Sequence, residues 1–129
     1  MNTDKRHMRH GMGAARPYIY GNLQVPDFIR EVFGAKEIER LKSGSGFHIE
    51  AQVGDSMIVL EAGESFPPGA GLTKASFYVY VDDVDAAYKR ALEMGATSIG
   101  APEDKPHQER ACGVKDTFGN TWYIATYTG

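Results

Sequence analysis

The chain has 129 residues, of which 42% are hydrophobic and 24% are charged, and a formal net charge of −3. This length fits one domain, and the composition is that of an ordinary globular protein. The small negative charge gives no general electrostatic reason to bind nucleic acid or an anionic membrane.

The first half of the chain predicts a β-α-β-β-β unit over residues 16–62, after a flexible basic tail over residues 1–15. The run Pro17-Tyr18-Ile19-Tyr20 is typical of a strand, and the apolar spacing up to Gly34 indicates a short amphipathic helix. Three β-rich stretches separated by glycine-containing turns follow, at 36–41, 47–53 and 56–60. Residues 63–74, with their Gly and Pro, are expected to form a linker.

The second half, residues 75–129, predicts the same order of elements. Phe77 to Val81 is strand-like, Asp83 is a candidate helix N-cap, and Gly95 suits the end of that helix. The remaining expected elements are a short strand at 97–99, a polar loop with Pro102 and Pro106, a strand at 110–115, and a Gly-Asn hairpin turn into a strand at 121–127.

Landmarks recur between the halves at nearly constant separations. Tyr18 and Tyr78 are sixty positions apart, Gly34 and Gly95 sixty-one, and Gly54 and Gly119 sixty-five. A sheet with one helix leaves its second face uncovered. We therefore predict an α+β fold in which two such units curve around a common concavity.

These landmarks carry a family resemblance. Besides the first strand, the carriers are Phe33-Gly34-Ala35, His48-Ile49-Glu50, Gly54-Asp55-Ser56, Val81 to Ala87, Gly95-Ala96 and Asp116 to Trp122. Over residues 16–127 the chain resembles the vicinal oxygen chelate superfamily, the glyoxalase, bleomycin-resistance and extradiol dioxygenase group, and most of all its glyoxalase-like branch. The resemblance implies paired βαβββ modules, a cup-shaped and partly open eight-stranded sheet, and often a homodimer. It does not decide between an enzyme and a binding protein.

Metal-using members carry His, Gln or Glu on the first strand of each module and Glu on the last. The resemblance transfers these positions to Arg16, Ile58, Ser76 and Tyr123, none of which is a good ligand for a divalent cation. Glu61 lies three residues beyond Ile58 and is expected to face the other way. We predict neither a metal nor another cofactor.

Strand alternation sorts the remaining side chains of the cup. Phe77, Val79 and Val81 should pack on a helix, which turns the intervening residues toward the cup. The expected ligand-binding residues are Arg16, Tyr18, Tyr20, Ser76, Tyr78, Tyr80 and Tyr123. Tyrosine rings suit flat or cationic organic ligands. Alternatively, these rings only close a small barrel interior.

His48 and Glu50 share one face of their strand. If that face lines the cup, His48 could act as a general base and Glu50 could orient it or bind a cation. If it faces solvent, His48 is a surface residue with no task. His107 could reach over the mouth of the cup as a lid, although a solvated loop residue is the more common case.

The leading hypothesis is a homodimeric superfamily member without the usual metal ligands. It would bind a small aromatic or amphipathic molecule in the cytoplasm, without a nucleic-acid or membrane partner, either for sequestration or for metal-free acid–base chemistry. The alternatives are a metal-dependent lyase, isomerase or dioxygenase with a displaced site at His48, Glu50 and Glu61, and a structural or regulatory dimer without a ligand.

Overall fold

The computed structural model describes residues 6–63 and 74–129, and each half holds one helix and four strands in the same order. The first half contains β1 (Tyr18–Gly21), α1 (Gln24–Phe33), β2 (Lys36–Ser43), β3 (Gly46–Val53) and β4 (Ser56–Ala62). The second half contains β5 (Ser76–Tyr80), α2 (Val84–Glu93), β6 (Thr97–Lys105), β7 (Glu109–Lys115) and β8 (Thr121–Tyr127). A short 3-10 helix, Arg9–Gly11, precedes β1.

The strands form two open sheets. The first sheet has the order β1-β4-β3-β2 and the second the order β5-β8-β7-β6. In each sheet the first strand runs parallel to the last strand of its module, and the other pairs are antiparallel. The α+β class and the two βαβββ modules are confirmed. The eight strands are divided between two four-stranded sheets, and no pairing joins these sheets within residues 6–63 and 74–129.

The predicted C-cap of α1 and the predicted N-cap of α2 are both present. Gly34 takes the left-handed conformation with φ of 67° after α1, and its N–H donates to the carbonyl of Arg30 at 3.0 Å. Asp83 caps α2, because its side chain accepts the Ala86 N–H at 3.1 Å. These caps fix where α1 ends and where α2 begins.

One core joins the two modules. Trp122 on β8 is fully buried, and its ring stacks on Phe77 at 4.1 Å between centroids. It also contacts Phe28 and Phe33 of α1, at 5.7 and 5.1 Å. The face of each sheet that bears Ile or Trp packs into this core. The opposite face of each sheet, which we call its outer face, therefore points away from the shared core.

The closing hairpin between β7 and β8 is built around Asp116. Its Oδ1 accepts the N–H groups of Phe118 and Asn120, at 2.9 and 3.0 Å. Its Oδ2 accepts the side chains of Asn120 and Trp122, at 3.2 and 2.8 Å. Asn120 also donates to the carbonyl of Tyr20 in the first module, at 3.3 Å. This turn therefore connects the modules as well as the strands.

One predicted loop is wrong. Residues 100–105 were expected as a polar loop, but they continue β6 from Thr97 to Lys105. β6 is an edge strand, and its pairing with β7 shifts register between Ser98 and Gly100 and again before Glu103. An edge strand with such irregularities accepts Pro102, whose missing N–H no neighbour requires.

Part of the predicted tail has defined contacts. Arg9 donates to Glu39 through two nitrogens, each at 2.6 Å, and His10 Nε2 lies 3.0 Å from the same carboxylate. Residues 1–5 of the predicted tail and residues 64–73 of the predicted linker lie outside the described residues. Within the described part of the chain, no helix has the length and apolar character needed to cross a membrane.

Candidate functional site

The outer face of the first sheet carries a charged cluster. His48 and Glu50 come from β3 and Glu61 from β4, and strand register places His48 directly opposite Glu61. His48 Nδ1 lies 2.5 Å from Glu61 Oε1, and its Nε2 contacts Glu50 Oε2. The Tyr18 hydroxyl donates to Glu61 at 3.2 Å. His48 is thus held between two carboxylates.

Arg16 completes this cluster from the segment before β1. Its Nη1 donates to Glu50, which is only 2% exposed. The rest of the guanidinium donates to carbonyls of the same segment, including Gly13 and Met12, both at 2.8 Å. A Cβ at Gly13 would come within 2.9 Å of buried Met57. Residues 12–16 therefore cover part of the first outer face.

Burial and charge oppose each other at His48. Burial disfavours the charged imidazolium, but hydrogen bonds to Glu61 and Glu50 outweigh this and raise the pKa of His48. Burial and the nearby Glu61 carboxylate raise the pKa of Tyr18 to about 12, so its hydroxyl stays protonated. The contacts with Glu61 and Glu50 therefore favour the protonated form of His48.

The outer face of the second sheet is different. Tyr78 and Tyr80 both donate their hydroxyls to the carboxylate of Glu109, the first residue of β7. His107 Nε2 lies 3.3 Å from the same carboxylate. The Glu109 side chain is only 8% exposed, whereas Tyr78 and Tyr80 are 51% and 61% exposed. The rings stand in solvent while their hydroxyls turn inward to one buried carboxylate.

These hydrogen bonds set the ionisation of the three groups. The bond to Glu109 is the main cause that raises the pKa of Tyr78 to about 12, and it also raises the pKa of Tyr80. The same two hydroxyls hold the pKa of Glu109 below its usual value. Near neutral pH, Glu109 is therefore an anion and both tyrosines are neutral donors.

A groove of about 470 Å³, which we call the tyrosine groove, lies on this face. It is lined by residues of β5 to β8 and the β6–β7 turn: Tyr78, Ile99 to Glu103, Lys105, His107, Ala111 to Gly113 and Tyr123. Gly113 leaves the space open, since a Cβ there would come within 2.9 Å of Ile99 and 3.3 Å of Tyr123. The groove thus has an apolar floor with polar groups along one side.

A second depression of about 570 Å³ lies between the modules, along the free edge of β5. Phe33, Val53 and Arg90 are among its lining residues, together with residues from both faces of β5. This depression lies along the edge of a strand, whereas the tyrosine groove lies on the face of a sheet.

Comparison with known proteins identifies the family to which this fold belongs. Residues 26–124 match the family model of the Glyoxalase/Bleomycin resistance protein/Dioxygenase superfamily, which is well over half of the chain. The chain belongs to this superfamily. An uncharacterized protein of Mycobacterium bovis is 33% identical over 108 residues, covering 76% of this chain and 71% of that protein. A Mycobacterium tuberculosis relative has the same identity, and the chain spans 64% of its length.

A solved structure shares this fold. The crystal structure of TioX from Micromonospora sp. ML1 is similar with a TM-score of 0.67 and 22% identity. The match covers 88% of this chain and 99% of TioX. At this level of identity the likeness shows a shared fold and nothing about the ligand.

One position transferred from the metal-using members is wrong. Ile58 was matched to Tyr123, but Ile58 packs into the core, and Val59 pairs with Tyr18 as Tyr123 pairs with Tyr78. The turn before β8 is longer than the Gly54-Asp55 turn, so counting from the glycines misses by one residue. Glu61 was therefore expected on the wrong side. It shares the outer face with His48.

The superfamily metal does not fit the transferred positions. Arg16, Val59, Ser76 and Tyr123 do not form a set of ligands for a divalent cation. Among the residues that the structure describes, no group of three or more His, Cys, Asp or Glu side chains is placed to hold a metal ion. His48 comes nearest, but each of its nitrogens already contacts a carboxylate.

The residues predicted to line one cup lie on two outer faces. Arg16, Tyr18 and Tyr20 belong to the first module, with His48 and Glu50 beside Arg16 and Tyr18. The others, Ser76, Tyr78, Tyr80 and Tyr123, belong to the second module. Sequence reasoning missed Glu109. The available signal was its position two residues after His107, the same spacing as His48 and Glu50.

Proposed function

We propose that the protein binds a small aromatic or amphipathic organic molecule in the tyrosine groove, without the metal ligands usual in its superfamily. The observation that carries this proposal is the 470 Å³ groove between Tyr78, Tyr123 and the apolar residues of β6. Its volume lies within the range of about 300–1,000 Å³ that is common for small-molecule sites.

The ring faces support the proposal. Because Tyr78 and Tyr80 direct their hydroxyls to Glu109, both side chains are held in place while their rings remain exposed. A ring fixed in this way loses little conformational freedom when a ligand stacks on it. Each aromatic contact of this kind contributes about 0.5–1.5 kcal/mol beyond the area it buries.

Sequestration is the form of this function that we favour over catalysis. His48 and Glu50, the pair expected to do acid–base work, lie on the first sheet, and the groove lies on the second. The raised pKa of His48 also favours a proton donor over the general base expected from the sequence. The homodimer and the cytoplasmic location stay predictions.

Binding can be tested with 2-naphthalenemethanol, a neutral aromatic probe, by isothermal titration calorimetry and by thermal shift. A ligand held by the native state raises the unfolding temperature by mass action. We expect Tyr123→Ala and Tyr78→Ala to weaken binding by about threefold to tenfold. Tyr18→Ala is the matched control, because Tyr18 has the same place in the register of the first sheet.

Two results would count against the proposal. The first is that no binding or thermal shift is seen with the probe at millimolar concentration. The second is that Tyr18→Ala weakens binding as much as Tyr123→Ala, which would place the ligand outside the tyrosine groove. Circular dichroism of each variant separates lost binding from lost folding.

A metal-dependent lyase, isomerase or dioxygenase is the second candidate. It is favoured by one observation, the convergence of His48, Glu50 and Glu61. It is opposed by Arg16, which already neutralises Glu50. Metal analysis of protein purified without chelator tests it: a stoichiometric divalent ion lost in Glu61→Gln and His48→Ala would replace our proposal.

A further inference from the structure

Glu109 is a buried anion without a strong cationic partner. Its carboxylate receives two tyrosine hydroxyls, and its one ion-pair contact in the described residues is His107 at 3.3 Å. No Lys or Arg among residues 6–63 and 74–129 forms an ion pair with it. A buried carboxylate usually has such a partner, because removing a charge from water is costly.

The other charges near the groove are already balanced. Lys105 pairs with Glu103 at the rim. Arg110, the neighbour of Glu109, points to the other side of β7 and donates to Asp85 on α2, at 2.8 and 3.0 Å. Glu109, which contacts the groove residues Tyr78 and His107, is therefore the carboxylate beside the tyrosine groove that has no Lys or Arg partner in the described residues.

The two tyrosines transmit this charge to the surface. A phenol that donates to a carboxylate is polarised toward phenolate, which makes its ring face more negative. The Tyr78 and Tyr80 rings lie 5.6 Å apart at an interplanar angle of 65°, an edge-to-face arrangement that forms a corner. A cation in that corner would meet two electron-rich rings with a carboxylate behind them.

From this geometry we infer that the tyrosine groove selects an organic cation, an amphipathic molecule with a protonated or quaternary amine. The inference rests on the proposed function and narrows its ligand class. The amine lies in the corner between Tyr78, which lines the groove, and Tyr80, which stands beside it outside the groove lining. The apolar body of the ligand lies along Ile99 and Tyr123.

The first module provides an internal contrast. Its equivalent rings, Tyr18 and Tyr20, also lie 5.6 Å apart, at 30°. The carboxylate that accepts from Tyr18 is Glu61, which His48 Nδ1 also contacts at 2.5 Å. The carboxylate behind these rings therefore already has an imidazole partner, and we expect this pair to have a weaker preference for a cation.

The test compares three naphthalene probes that differ in charge. They are 2-naphthylmethyl-trimethylammonium, neutral 2-naphthalenemethanol and anionic 2-naphthylacetate. We expect the cation to bind about fivefold to tenfold more tightly than the neutral probe, and the anion to bind least. Isothermal titration calorimetry at two salt concentrations measures all three, and salt should weaken the cation's advantage only modestly because Glu109 is buried.

Two variants and one matched control assign the preference for the cation to its source. Glu109→Gln removes the charge and keeps an acceptor, so the ratio of cation affinity to neutral-probe affinity should fall to about twofold or less. Glu93→Gln, an equal charge change on exposed α2, is the matched control and should leave the preference intact. Tyr80→Leu removes one ring at an exposed position, where folding is not at risk, and should weaken the cation more than the neutral probe.

The outcomes separate the inference from the function beneath it. Equal binding of the cation and the neutral probe, or a preference for the cation that survives Glu109→Gln, overturns the inference but not the proposed binding of aromatic molecules in the tyrosine groove. Failure of all three probes to bind overturns both. A preference lost in Glu109→Gln and retained in Glu93→Gln supports both.

Discussion

Replacing Asp116 should destabilise the protein more than its place in a surface turn suggests. The carboxylate is 5% exposed and accepts four hydrogen bonds, among them those of Trp122 and Asn120, which are 0% and 1% exposed. A buried donor left without an acceptor costs about 1–3 kcal/mol. With two buried residues affected, Asp116→Ala should lower the free energy of unfolding by about 3–5 kcal/mol.

Asp116→Asn distinguishes the contributions of the two carboxylate oxygens to stability. It keeps one acceptor for the backbone N–H groups of the turn and loses the acceptor for Trp122 and the Asn120 side chain, so we expect a loss of about 2–3 kcal/mol. Asp55, exposed in the corresponding turn of the first module, is the matched control, and Asp55→Ala should change stability by about 0.5 kcal/mol or less.

Urea denaturation at fixed pH, followed by circular dichroism, measures all three variants. The slope against urea should stay constant, because the surface exposed on unfolding does not change. If Asp116→Ala and Asp55→Ala differ by less than about 1 kcal/mol, the turn does not join the modules as described.

Three further predictions follow from the fold and the charged cluster. In an NMR titration, His48 should have a pKa above its usual value, and Glu61→Gln should lower the pKa of His48. The stability that protonated His48 contributes is present below its unfolded pKa near 6.5 and is lost as pH rises through its folded pKa. A His48 pKa unaffected by Glu61→Gln would refute the pairing. Trp122, the single tryptophan and fully buried, should resist acrylamide quenching until the protein unfolds, and ready quenching of the native state would contradict the shared core. Gly34→Ala should cost about 1 kcal/mol, because φ is 67° but no atom lies within 4 Å of the added Cβ. Gly46→Ala, whose Cβ would clash with the carbonyl of Ala62, should cost at least twice as much, and equal losses in urea would refute this distinction.

Local patterns in the sequence were sufficient to predict most of the fold. Alternation along Phe77 to Tyr80 separates the core side of β5 from the tyrosine side, and Gly34 marks the end of α1. Patterns of this kind depend only on residues close together in the sequence, so they can be recognised within a single segment. The closing strand Thr121–Tyr127 was predicted to the residue, because a Gly-Asn turn defines where it starts.

Features that depend on packing between segments could not be predicted in the same way. The register of Val59 opposite Tyr18 depends on the lengths of two turns, so the count from Gly54 missed by one residue. The outward direction of both tyrosine faces follows from the packing of the two modules around Trp122, which no local pattern encodes. Glu109 was overlooked because it is the first residue of β7, next to a loop, and only the fold brings its carboxylate to the Tyr78 hydroxyl.

The most direct test of the central claim is an NMR titration of isotope-labelled protein with 2-naphthalenemethanol. If the tyrosine groove is the binding site, the largest shifts of backbone signals should fall at Tyr78, Gly113 and Tyr123. The signals of Tyr18 and His48 on the first sheet should stay in place. The claim would be contradicted by shifts confined to the first sheet or to the depression between the modules, or by no shifts at millimolar concentrations of the probe.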